Sequence, residues 1–199
     1  MSKGSGYTVQ DVGDEEKPWY KLLFLLLFVV LVIMGIISYY TSSHYFESKL
    51  TSENPKTRRW AVNQMVEKGQ SAGPAMLKIA VDARQDLEMR RLALFVLGEI
   101  KYSEGAGELL EIFADGPLVL REQSAYALGR IGDNNVLPDF VAAYSRAPKG
   151  LKLKILSAMG ELGNLSAIET LAAAVSDDDE LIRQTAELAL KKIRQKNPL

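Results

Sequence analysis

The chain contains no cysteine and a single histidine, His44. The first absence excludes disulfides, iron–sulfur clusters, thiolate zinc sites and thiol nucleophiles. The second leaves any transition-metal site or Ser-His catalysis to one imidazole. Neither sign of charge dominates, with 24 Lys and Arg against 25 Asp and Glu. Phosphate backbones require a basic surplus or stripe, so no nucleic-acid partner is expected. Strand-like alternation of useful length is also missing. Hydrophobic residues nevertheless make up 47% of the chain, an ordinary share for a packed protein.

These apolar residues are unevenly placed. Leu22 to Ile37 form an unbroken run of 16. Extended over 19–40, the stretch reaches about 33 Å as a helix, enough for a hydrocarbon core of about 30 Å. Trp19, Tyr20, Tyr39 and Tyr40 stand where interfacial aromatic belts belong. The run has no polar face, which argues against a buried soluble helix. A cleaved leader is disfavoured by Asp11, Asp14, Glu15 and Glu16 ahead of the run and by the lack of an A-x-A pattern after it. Lys17 and Lys21 flank the amino end, whereas Lys49 is the first base beyond the other end. This bias predicts a cytoplasmic N-terminus and an extracytoplasmic C-terminal region, as in a single-pass protein of a bacterial inner membrane. The expected organisation is a disordered tail over 1–18, a transmembrane helix over 19–40, a juxtamembrane linker over 41–53 and a repeat domain over 54–199.

Self-comparison beyond the linker gives a period of 31 residues. Arg90, Arg121, Lys152 and Arg183 form one column, and Gly98, Gly129 and Gly160 another. Leu97, Leu128, Met159 and Leu190 precede the glycines; Val96, Ala127, Ala158 and Ala189 come one position earlier. Arg58, Ala61 and Met65 repeat the frame 32 residues upstream. The second halves align as Leu77, Leu109, Phe140, Leu171 and as Val81, Phe113, Tyr144, Val175. Apolar offsets of 3, 4 and 7 describe one helical face. Each unit is therefore two helices with a short turn, near 54–83, 85–115, 117–147 and 148–177, followed by a lone first helix over 178–199. Such pairs bury a continuous core only when stacked. The glycine column implies close helix approach, and the Arg column an Asp–Arg ladder joining neighbouring repeats.

The stretch LREQSAYALGRIGDNNVLPDF, Leu120 to Phe140, resembles the short HEAT-like repeat of the phycobilisome-lyase type. The resemblance covers 54–199. It implies an all-α, right-handed α-solenoid, with first helices on the convex side and second helices on the concave side. On that reading Glu108, Glu111, Asp139, Ala142, Ala143, Ala173 and Ala174 face outward from the second helices, as candidate partner contacts. Phe95 and Tyr126 share a column expected to be exposed on the first helices, completed by Ser157 and Leu188, and are further candidates. His44 is read as interfacial, and Trp60 as closing the open end of the stack or packing on the linker.

With no catalytic constellation, metal site, cofactor or small-molecule substrate evident, the expected function is a membrane-anchored, non-enzymatic scaffold for protein partners. An accessory or structural subunit of a membrane complex is a form of the same expectation. The alternative is a HEAT-repeat enzyme or an enzyme partner of the phycobilin-lyase type. Two enzyme classes built on such repeats fit poorly. Deoxyhypusine hydroxylases need several His-Glu metal pairs, and this chain has no His-Glu dipeptide. The related DNA glycosylases need a basic groove, which Glu108, Glu111 and Asp139 oppose.

Overall fold

The computed structural model describes residues 19–198. The expected tail over 1–18 and the side chains of Tyr20, Tyr40 and His44 lie outside the described residues. The chain divides into two units, one ending at Ser42 and one beginning at Ser43. Among the described residues all regular structure is helical.

The first unit contains helix α1, Trp19–Thr41. Its 23 residues span about 35 Å at 1.5 Å per residue. Every described side chain from Lys21 to Tyr39 is exposed, although the stretch is almost wholly apolar. It is long and apolar enough to cross a membrane.

The second unit begins with α2, Ser43–Leu50. The segment expected as a linker thus carries a helix, and the reason is packing. Phe46 and Leu50, one turn apart, are buried. Trp60 packs on this helix, its ring 5.4 Å from Phe46 and 6.3 Å from Tyr45. Eight residues rarely hold a helix alone, so burial of this apolar edge sustains it.

Four helix pairs follow: α3 Pro55–Lys68 with α4 Gly73–Val81, α5 Leu87–Glu99 with α6 Ala106–Asp115, α7 Leu118–Ile131 with α8 Leu137–Tyr144, and α9 Lys149–Leu162 with α10 Ile168–Ala174. Helix α11, Glu180–Lys196, stands last. Local chemistry marks the boundaries. Asn54, Asp86 and Asp179 cap α3, α5 and α11 by accepting main-chain N–H bonds. Residues with positive φ end α3, α5, α7 and α9: Gly69 (φ 61°), Lys101 (φ 53°), Gly132 (φ 87°) and Gly163 (φ 74°), the last two as left-handed caps.

Helices α5, α7, α9 and α11 pack in succession, and each second helix packs on the first helix of the following unit. The apolar columns Val96/Ala127/Ala158/Ala189 and Leu97/Leu128/Met159 are buried between them. Each column glycine backs onto the next repeat's alanine. A Cβ at Gly98, Gly129 or Gly160 would stand 2.7–2.8 Å from the Cα of Ala127, Ala158 or Ala189. Helix α11 breaks this pattern. Glu187 occupies the column of buried Leu94, Ala125 and Leu156, and Lys191 the column of the glycines; both are exposed. That side of α11 is therefore a polar face on an otherwise apolar stack.

The Arg column serves the repeat joints, with partners different from those expected. Arg90 Nε donates to Ala80 O and Arg121 Nε to Phe113 O, each at 2.8 Å. These carbonyls lie in the last turns of α4 and α6, where the helix dipole favours a cation. Arg183 Nη1 donates to Asp177 O at 2.8 Å and also pairs with Glu180. Lys152 sits 5.4 Å from the centre of the Tyr144 ring. The joints are thus mainly guanidinium-to-carbonyl clamps. Asp86 and Asp179, which an Asp–Arg ladder would have used, are helix caps.

Candidate functional site

The first helices present one continuous face formed by two rows. Phe95, Tyr126, Ser157 and Leu188 make the first row. Glu99, Arg130, Glu161 and Lys192 make the second, four residues further along each helix. Residues at i and i+4 share a helical face, so the rows run side by side down the stack.

The second row alternates in sign and is linked across repeats. Arg130 Nε lies 3.3 Å from Glu99 Oε1, and Lys192 Nζ 2.5 Å from Glu161 Oε1. The Lys192 hydrogen bond holds the Glu161 carboxyl below its ordinary range, against the opposing effect of burial. Lys196 also donates to Glu161 O. Of the four bases near the end of α11, Lys191, Lys192, Arg194 and Lys196, two are therefore engaged with the stack.

The first row changes character along its length. Phe95 and Tyr126 are half-buried and stack with centroids 5.8 Å apart and planes 9° apart. Tyr126 donates its phenol proton to Glu99. Burial and then this bond push the Tyr126 pKa up to about 12. Beyond that stack the row drops to Ser157, then rises to Leu188, which is 61% exposed. A trough of about 530 Å³ results. Gly150, Leu153, Ser157 and Ala158 of α9 form its floor, between Glu122 and Tyr126 of α7 and Leu181, Thr185 and Leu188 of α11.

The second helices carry the other expected contact residues. Glu108, Glu111, Asp139, Ala142 and Ala173 are exposed and Ala143 is half-buried, but Ala174 is buried, at 3%. Asp139, Ala142 and Ala143 border a smaller groove of about 370 Å³, together with Leu110, Phe113, Arg121 and Arg146. Glu108 and Glu111 are not part of it. Sequence reasoning missed the Glu99/Arg130/Glu161/Lys192 row, although it has the same period of 31. Among the described residues no group of three or more His, Asp or Glu is placed to hold a metal ion.

No family model matches the chain. A curated deoxyhypusine hydroxylase from Danio rerio is 28% identical over 121 residues, which is 60% of this chain and 40% of the relative. The chain thus spans well under half of that protein's length. Among solved structures, the complex of CpcE and CpcF of phycocyanin lyase from a Nostoc species superposes over 77% of this chain and 65% of that chain, with a TM-score of 0.60 and 17% identity. A designed armadillo repeat protein covers 76% of this chain and 100% of its own, with a TM-score of 0.41 and 11% identity. The lyase likeness shows the fold, an all-helical solenoid of HEAT-like repeats. The comparisons also correct two expectations, that the chain is a non-enzymatic scaffold and that it is no enzyme. The curated relative is a named enzyme and the structural neighbour an enzyme complex, so neither likeness favours a non-enzymatic scaffold. The physical reason is that missing thiols and imidazoles exclude particular chemistries, whereas a subunit that positions a substrate or completes a partner needs neither.

Proposed function

We propose that this chain is an enzyme partner of the lyase type, a HEAT-like solenoid that forms the working enzyme together with a second protein chain. The likeness to the CpcE–CpcF complex over 77% of the chain is the observation that carries this reading. The hydroxylase likeness supports an enzymatic setting but not that reaction, because a single histidine cannot supply several His-Glu metal pairs. In this reading the helix pairs wind as a right-handed superhelix. Helix α1 tethers it to a membrane, with Trp19 and Tyr39 at the interfaces and the repeat unit on the extracytoplasmic side. The length and uniform apolarity of α1 support the tether, and Lys17 and Lys21 ahead of the span support the orientation.

The test mixes the full chain in mild detergent with each phycocyanin lyase subunit in turn. Assembly is followed by light scattering and chromophore attachment to phycocyanin by absorbance. A one-to-one complex with one subunit, accompanied by a changed attachment rate, is expected. No complex and no rate change with either subunit would overturn the reading.

A further inference from the structure

The trough over α9 has the dimensions of a helix seat. Its floor residues Gly150, Leu153 and Ser157 lie on one face of α9, and Leu181, Thr185 and Leu188 lie on one face of α11. From Gly150 to Glu161 it runs about 16 Å, the length of three helical turns. Neighbouring helices pack about 8–10 Å apart, so α7 and α11 leave room between them for one further helix over the small residues of α9.

Two observations restrict the occupant. First, the walls are helices whose main-chain groups are already paired, so an extended peptide would find no backbone partners here. A helix brings its own satisfied backbone and can bury an apolar stripe on Leu153, Leu181 and Leu188. Second, the trough carries two charges that the stack leaves unanswered. Glu122 is half-buried and Lys154 exposed, and neither has a hydrogen bond or ion pair among the described residues. The other acid of the trough, Glu161, is engaged by Lys192. Glycine at position 150 lets the Glu122 carboxylate lean over α9, since a Cβ there would collide with its Oε1.

We propose that this trough seats one amphipathic helix of the partner protein, with an apolar stripe against the leucines and an Arg or Lys at its border paired with Glu122. Lys154 then meets an acid on the same helix. The inference rests on the enzyme-partner reading and names the surface through which the partner is held.

The probe is a displayed library of 14-residue amphipathic helices, selected on the full chain in detergent, with affinities of the selected peptides measured by anisotropy. Selected peptides are expected to share an apolar stripe bordered by Arg or Lys. Glu122→Lys should weaken them about tenfold and favour Glu-bordered peptides instead. Ser157→Trp, which fills the trough from an exposed position, and Leu188→Glu should each abolish binding while leaving the thermal midpoint unchanged. Absence of enrichment, or equal binding to Ser157→Trp, overturns the proposal. So does self-association of the chain that Leu188→Glu dissolves, because the occupant is then a second copy. A lyase complex that forms and survives Ser157→Trp overturns the trough and leaves the enzyme-partner reading standing. Trough-specific peptides recovered while neither lyase subunit binds support the trough and count against that reading.

Discussion

Gly129 backs directly onto Ala158, 29 residues later, so that a Cβ on the glycine would stand 2.7 Å from the alanine Cα. Gly98 and Ala127, and Gly160 and Ala189, repeat the relationship at 2.8 Å. Main-chain atoms block the added carbon here, and backbone does not yield as a flexible side chain would. Gly129→Ala is therefore expected to cost about 1–3 kcal/mol by overpacking. At about 2–4 °C per kcal/mol for a chain of this size, the thermal midpoint should fall measurably. Gly107→Ala, in α6 with nothing within 4 Å of the new carbon, is the control and should leave the midpoint unchanged or slightly raised.

Lys101 is the one non-glycine residue with a positive φ, 53°, among the described residues. It ends α5 where Gly69, Gly132 and Gly163 end the corresponding helices, and Tyr102 N donates to Leu97 O beyond it. Left-handed backbone costs an L-residue about 1 kcal/mol. Lys101→Gly should recover part of this, raising stability by about 0.5–1 kcal/mol in chemical denaturation. Gly132→Ala should move it by a similar amount in the opposite direction.

Arg121 clamps the α6–α7 joint through a single directed bond to Phe113 O. Hydrogen bonds from charged groups contribute about 1.5–3 kcal/mol when buried, and Arg121 is half-buried, so Arg121→Met should cost about 1–2 kcal/mol. Arg121→Lys should rescue little, because the ammonium lacks the planar Nε–H that makes the bond. A Lys variant as stable as the parent would refute the clamp.

Two opposed pH dependences follow from the first-helix face. Glu161 has its pKa lowered by Lys192, so its contribution is complete above the unfolded value of about 4.3. It is lost as pH falls through the lower folded value. Lys192→Met should flatten this acid limb in urea midpoints measured from pH 6 to 3. Tyr126 has its pKa raised to about 12, so its contribution is complete below the unfolded value of about 10 and is lost as pH rises towards 12. The stability gap between the parent and Tyr126→Phe should narrow across that alkaline range. A constant gap would contradict the Glu99–Tyr126 bond.

The parts of this architecture that were legible beforehand are those that recur. Arg90, Gly98 and Leu97 return every 31 residues because each repeat solves the same packing problem, and the helix pairs follow from that period. What the Arg column bonds to was not legible, because sequence does not reveal which carbonyls end up beside a guanidinium. The helix over 43–50 was missed since Phe46 and Leu50 alone make a weak periodic signal, and Trp60, which packs on Phe46, comes fourteen residues later. The Glu99/Arg130/Glu161/Lys192 row was overlooked because charges at exposed helical positions ordinarily mean solvation. The trough was hidden for a different reason. It arises where Ser157 interrupts a row of large side chains, a local departure from the repeat rather than an instance of it. Function was the least legible, since packing columns are the same whatever a solenoid does, and the scaffold expectation found no support among proteins named as enzymes or enzyme complexes.

The mass of the detergent-solubilised full chain in the presence of each phycocyanin lyase subunit decides whether it assembles as an enzyme partner. A one-to-one complex with one of them, abolished by Leu188→Glu without loss of helicity, is the expected result. A chain that keeps its own mass with both subunits would contradict it.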